Sequence, residues 1–337
     1  MDAVKPSVAT EYLVDALKAR LVPMIHGSPG IGKSDIVLQV ARQFNLQVID
    51  LRLSQCDPTD LNGFPTITGE RAGYKPMDTF PLEGDELPEG KDGWLLFLDE
   101  MNSAPTSVQA AAYKITLDKA VGNKKLHPNV AIICAGNLET DGAIVNRLST
   151  ATQSRLVHME LQPDSKDWIE WAQNNDIDYR ITSYIGFRPK NLHLFDPDHS
   201  DKTFACPRTW AFASRLIRNW DSIPYNRVNL LAGVIGEGPA NEFYQFTKIF
   251  DRLPDINKIE SSPTSAALPD DPGTLYAMAG VLAENVCEAN VSALLKYTDR
   301  LPKEFQVITI KDMSRRFPKI MGHDAFMEKA TELAQLL

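Results

Sequence analysis

Gly27-Ser28-Pro29-Gly30-Ile31-Gly32-Lys33-Ser34 stands between an apolar run (Leu21, Val22, Met24, Ile25) and apolar residues at helical spacing (Ile36, Val37, Val40, Ala41, Phe44). Two glycines with four residues between them, followed by Lys-Ser between a strand and a helix, make the phosphate-binding P-loop. Each residue type has a reason. Glycines let successive backbone N–H groups curl around a polyphosphate with no Cβ in the way. The start of the helix adds free N–H groups and partial positive charge. Lys33 is placed to reach the β- and γ-phosphates, and the Ser34 hydroxyl to bind Mg²⁺. The stretch as a whole, Gly27 to Ser34, is therefore expected to hold a nucleoside triphosphate.

Outward from this loop, strands alternate with helices. Residues 7–20 have helical spacing and lead into the strand before the P-loop. Leu46–Leu51 reads as a second strand, and a turn-rich segment from Gln55 to Pro65 leads to a small hairpin over Thr66–Lys75. Residues 76–93 are rich in Pro, Gly and acid, a long connection of the kind that carries function or mobility. Trp94-Leu95-Leu96-Phe97-Leu98-Asp99-Glu100 is a continuous apolar run ending in two carboxylates, as in a strand buried on both faces of a parallel sheet. Pro105 then opens a helix, and Lys119–Leu126 reads as a second hairpin. Val130–Asn137 is another buried strand, and Leu156–Leu161 a fifth. The pattern predicts a doubly wound parallel α/β sheet, with ligands beyond the carboxyl ends of the strands where Lys33, Asp99 and Asn137 lie.

Past Pro163 the spacing turns helical. The expected organisation is an α/β nucleotide-binding core over 1–162, a helical lid over 163–253, a linker or long loop over 254–274, and a helical extension over 275–337. The length of 337 residues suits about two domains at roughly 150 residues each. Composition is 43% hydrophobic and 23% charged, with no apolar run near the roughly 18 residues of a membrane span. The opening Met-Asp-Ala-Val-Lys-Pro lacks a secretory signal's apolar core, so a cytoplasmic protein is expected. A net charge of −9 argues against a surface built to wrap nucleic acid, although a basic pore fits inside an acidic shell. Cys56, Cys134, Cys206 and Cys287 are widely separated and form no C-x-x-C, which predicts reduced thiols rather than disulfides or zinc.

Several side chains complete the chemistry. Asp99 is expected to hold Mg²⁺ and Glu100 to orient and activate the attacking water. Hydrophobic-Asp-Glu after a P-loop favours hydrolysis over transfer to a small acceptor. Asn137, at its strand end, is placed to hold that water or the γ-phosphate. Arg155 and Arg147 precede the last core strand, and either can project across a subunit boundary onto a neighbour's γ-phosphate. Arg208, in Cys206-Pro207-Arg208-Thr209-Trp210, opposes a helix dipole at the first turn, which asks for a phosphate or a similar partner. His26 reads as a packed strand-end histidine and His158 as facing a polar surface.

Together these residues resemble the AAA+ ATPases, and within them the MoxR family of the helix-2-insert clade. Gly27–Ser34 looks like Walker A and Leu95–Glu100 like Walker B. Asp99-Glu100-Met101-Asn102-Ser103-Ala104-Pro105 is similar to the family's Asp-Glu-Ile-Asn-Arg-Ala-Pro. Asn137 falls on sensor 1, Arg155 on the arginine finger and Pro207-Arg208 on sensor 2. The hairpin after Asp57–Phe64 resembles the helix-2 insert, and Lys119–Leu126 the pre-sensor-1 hairpin. The likeness spans about residues 7–220. It departs at Asn137-Leu138, where the family has Asn-Pro, and at Ser149–Arg155, where it has Pro-Glu-Ala-Gln-Leu-Asp-Arg, so Arg147 stays a second candidate finger. The resemblance implies ATP over GTP and a ring, usually a hexamer, with sites between subunits. It also implies chaperone-like remodelling of a client, often a protein with a von Willebrand factor A domain. The alternative is a nucleic-acid-directed AAA+ motor whose insert hairpins contribute Arg71, Lys75, Lys119, Lys124 and Lys125.

Overall fold

The computed structural model describes residues 2–142, 146–198 and 201–334. They fall into two compact units: the chain to Pro163 with Asp196–Asp198, and the remainder, Asp164–Phe195 with the chain from 201 onward.

The first unit contains α1 (Pro6–Lys18), β1 (Val22–His26), α2 (Lys33–Gln43), β2 (Leu46–Arg52), α3 (Pro58–Asn62), β3 (Phe64–Thr68) and β4 (Arg71–Lys75). It continues through β5 (Gly93–Asp99), α4 (Thr106–Asp118), β6 (Ala120–Val121), β7 (Lys124–Lys125), β8 (Val130–Gly136), α5 (Thr150–Gln153) and β9 (Leu156–Glu160). Five strands form one sheet in the order β2-β5-β8-β1-β9, and every neighbouring pair is parallel. The two hairpins, β3–β4 and β6–β7, stand outside it.

The unbroken apolar runs follow from this placement. Alternate residues of one strand face different helices, so neither parity can be polar. Met24, Leu96, Leu98, Ile132 and Cys134 share a core with Val108, Ala112 and Ile115 of α4. Ile25, Leu95, Phe97, Ile133 and Ala135 face the other way, onto Leu13 of α1 and Ile36, Val37 and Val40 of α2. This is the expected parallel α/β sheet, covered by helices on both faces. The long connection 76–93 is anchored by Phe80, which is buried in the α4-side core, and by a bridge from Leu82 to Leu126.

The second unit is helical: α6 (Ser165–Gln173), α7 (Tyr179–Phe187), α8 (Pro207–Ile217), α9 (Val228–Ile235), α10 (Glu237–Thr247), α11 (Ile256–Ser261), α12 (Pro272–Asn285), α13 (Val291–Thr298), α14 (Lys303–Arg316) and α15 (Asp324–Leu333). One core gathers Trp168, Tyr184, Trp210 and Phe243, and another gathers Met278, Leu294, Tyr297 and Met313. The stretch 254–274, expected from its prolines to be a linker or long loop, contains α11. There the Asp255 carboxylate caps the helix by accepting from Asn257 N–H at 2.8 Å, and Ile259 is fully buried. No helix among the described residues is long and apolar enough to cross a membrane.

Candidate active site

The site begins where β1 ends. Gly30 and Gly32 have φ of +77° and +100°, a region that costs a residue with a Cβ. Gly32 is the N-cap of α2, and no side chain caps that end. The turn thus leaves the first N–H groups of α2 directed at the loop, which is the arrangement that binds anions.

Lys33, in the first turn of α2, folds back over the loop. Its Nζ donates to the Gly27 carbonyl at 2.6 Å, the Ser28 carbonyl at 3.1 Å and Asn137 Oδ1 at 3.2 Å. Ser34 Oγ donates to Asp99 Oδ2 at 3.5 Å. Four residues from three separate motifs therefore meet: Lys33 and Ser34 after β1, Asp99 at the end of β5, and Asn137 just past β8. Parallel neighbours bring this about, because β5, β8 and β1 are adjacent and all end on the same side. Ser28 is fixed as well, its hydroxyl donating at 3.3 Å to the buried carboxylate of Asp141.

Glu100 occupies the left-handed region at φ +56°, at a cost of about 1–2 kcal/mol for a residue with a side chain. The turn it makes lets its N–H donate to Asp99 Oδ1 at 2.8 Å. Its carboxylate accepts a short hydrogen bond from the Ser54 hydroxyl, just past β2. Ser54 is a contact that no sequence motif announces. On the neighbouring strand β2, burial and the negative charges of Asp99 and Glu100 hold the Asp50 carboxyl above its ordinary range, against the opposing pull of Arg52.

At the opposite edge of the loop, His26 Nε2 and His158 Nδ1 lie 2.9 Å apart, and the two rings stack at 5.2 Å. His158 therefore packs on a neighbouring side chain instead of facing a polar surface alone, because β1 and β9 are adjacent. The Gln153 carbonyl lies 2.8 Å from His158 Nε2. A carbonyl only accepts, so Nε2 carries the proton and Nδ1 accepts from His26 when both rings are neutral. Burial, then the nearby His158 and Lys33, push His26 down to about 4.

The predicted arginines take no part in these hydrogen bonds. Arg155 is exposed; its Nη1 donates to the Ala151 carbonyl at 2.7 Å, and its guanidinium lies 5.5 Å from the centre of the Tyr113 ring. Arg147 is also exposed. Arg208 is exposed in the first turn of α8, in the second unit, where Thr209 Oγ1 accepts from Cys206 N–H at 2.8 Å.

No family model matches the sequence. Among solved structures, the chain is similar to NtrX from Brucella abortus, at 15% identity and a TM-score of 0.36 over 100% of this chain and 69% of that one. NtrX in complex with ATP gives 14% identity and 0.35, over 99% and 68%. A mutant of RuvB from Thermotoga maritima gives 16% identity and 0.37, over 85% of each chain. At these scores the likeness assigns no function; the fold rests on the chain's own sheet order and P-loop.

Proposed function

We propose that this chain is a Mg²⁺-dependent ATPase of the MoxR type of AAA+ proteins, which assembles into a ring and remodels a partner protein. The observation that carries the ATPase reading is the meeting of Lys33, Ser34, Asp99 and Asn137 at the open N-terminus of α2, with Glu100 alongside. Lys33 already reaches three oxygens and would exchange them for the β- and γ-phosphate oxygens of ATP. The Ser34 hydroxyl and Asp99 carboxylate are paired hard oxygen donors, the chemistry that suits Mg²⁺, which when bound would neutralise phosphate charge. Glu100 takes a proton from water as the water oxygen attacks the γ-phosphorus and the bond to ADP breaks. Asn137 holds that water against the phosphate, and Arg208 reads the nucleotide from the helical lid.

Ring assembly, the client and the preference for ATP over GTP follow from the family resemblance. In a ring, Arg155 of one subunit would face the ATP of the next and stabilise the transferring charge. Mixing Arg155→Ala with Lys33→Ala protein tests this: each alone should be inactive, and the mixture should regain turnover at interfaces pairing an intact loop with an intact arginine. Recovery with Arg147→Ala but not Arg155→Ala would move the role to Arg147. The nucleic-acid reading draws on Arg71, Lys75, Lys124 and Lys125, all exposed on the two hairpins. Stimulation of turnover by DNA or RNA, falling steeply with salt, would favour it over a protein client.

A further inference from the structure

Asn102 is only 4% exposed, two residues past Glu100. Its side-chain amide makes two hydrogen bonds to the backbone of a single residue. Nδ2 donates to the Asn137 carbonyl at 2.7 Å, and Oδ1 accepts from Asn137 N–H at 3.0 Å. Only the nitrogen can donate to a carbonyl, so these bonds fix which way the amide faces.

Asn137 needs such a partner. β8 ends at Gly136, so the sheet ladder no longer holds the residue whose side chain reaches Lys33. The fit is close: a Cβ at position 136 would lie 2.3 Å from Asn102 Oδ1. The backbone around Asn102 is anchored too. Met101 N–H donates to the Ala135 carbonyl at 2.9 Å, and the Asn102 carbonyl accepts from Asn146 N–H at 2.6 Å.

We infer that Asn102 is a positioning residue for hydrolysis, acting through Asn137. It holds the Asn137 side chain at the height of Lys33, and it does so from the same turn that carries Glu100. The carboxylate that activates water and the amide that holds it are thereby fixed to one short segment, Glu100–Asn102. This inference rests on the ATPase reading above.

The test is a double-mutant cycle on the full chain, with steady-state ATP turnover and binding of a fluorescent ATP analogue measured for each variant. Asn102→Ala should lower kcat on the order of tenfold to a hundredfold, as a misplaced group does. Its KM and analogue affinity should stay within about twofold of wild type, because no ground-state contact to nucleotide is removed. The double variant with Asn137→Ala should be no slower than Asn137→Ala alone. Gly136→Ala, which crowds Oδ1 and leaves both asparagines in place, should give the same loss of kcat with affinity kept, and serves if Asn102→Ala does not fold. Near wild-type kcat in Asn102→Ala, or losses that multiply in the double variant, would overturn the role while leaving the ATPase reading intact. A wild-type chain that hydrolyses no nucleoside triphosphate would overturn both.

Discussion

Glu100 shares its carboxylate with the Ser54 hydroxyl while its backbone is held in the left-handed region. A carboxylate held in a hydrogen bond must give up that bond before it can swing toward water. Removing that bond should therefore speed the basal reaction. Ser54→Ala is expected to raise kcat by about tenfold, close to the lower end of what one hydrogen bond to a charged group contributes, with KM for ATP unchanged. Steady-state kinetics check this, and a fall in kcat would mean that Ser54 aligns the base. His26 gives a pH dependence. Its folded value of about 4 lies below the ordinary 6.5, so the unfolded chain binds more protons between those two values. The stability due to neutral His26 is therefore present above about pH 6.5 and is lost as pH falls toward 4. Thermal melts across that window should show the wild-type midpoint falling more steeply than that of His26→Gln.

At the scale of elements, the sheet was legible because both parities of β5 and β8 are apolar and each run leads into a polar residue, Asp99 or Asn137, and the P-loop because its glycines and Lys-Ser form a local motif. The pairings across the site were not. Ser54 meets Glu100, and His26 meets His158, only because of which strands end up as neighbours, and local periodicity carries no strand order. Asn102 was visible within the motif from Asp99 to Pro105, but its partner, the backbone of Asn137, leaves no mark in side-chain identity. The helix α11 was hidden by flanking prolines that lie outside its capped turns. Close helix contacts were equally silent. At Gly280 of α12 a Cβ would lie 2.2 Å from Ser183 Oγ of α7, and at Gly186 of α7 a Cβ would lie 2.9 Å from Tyr276 Cε1 of α12. Gly280→Val should therefore destabilise the second unit by about 1–3 kcal/mol through overpacking. Chemical denaturation would show this as a lower midpoint, and an unchanged midpoint would mean that the crossing relaxes without strain.

For the whole molecule, an α/β unit carries the residues proposed to bind phosphate, and a helical unit with two cores carries Arg208. The net charge of −9 is a poor electrostatic match for a nucleic-acid backbone over the bulk of the surface. The division of labour depends on the first unit being a hydrolytic site, and Glu100 is the residue on which that claim turns. Its carboxylate and an amide have nearly the same shape, so Glu100→Gln keeps the fold and the phosphate cradle and removes only the base. The decisive measurement is ATP binding and turnover of wild type and Glu100→Gln side by side with Mg²⁺ present. ATP affinity should be unchanged while kcat falls on the order of a hundredfold or more, as loss of a general base requires. Hydrolysis by Glu100→Gln at close to the wild-type rate would contradict the account.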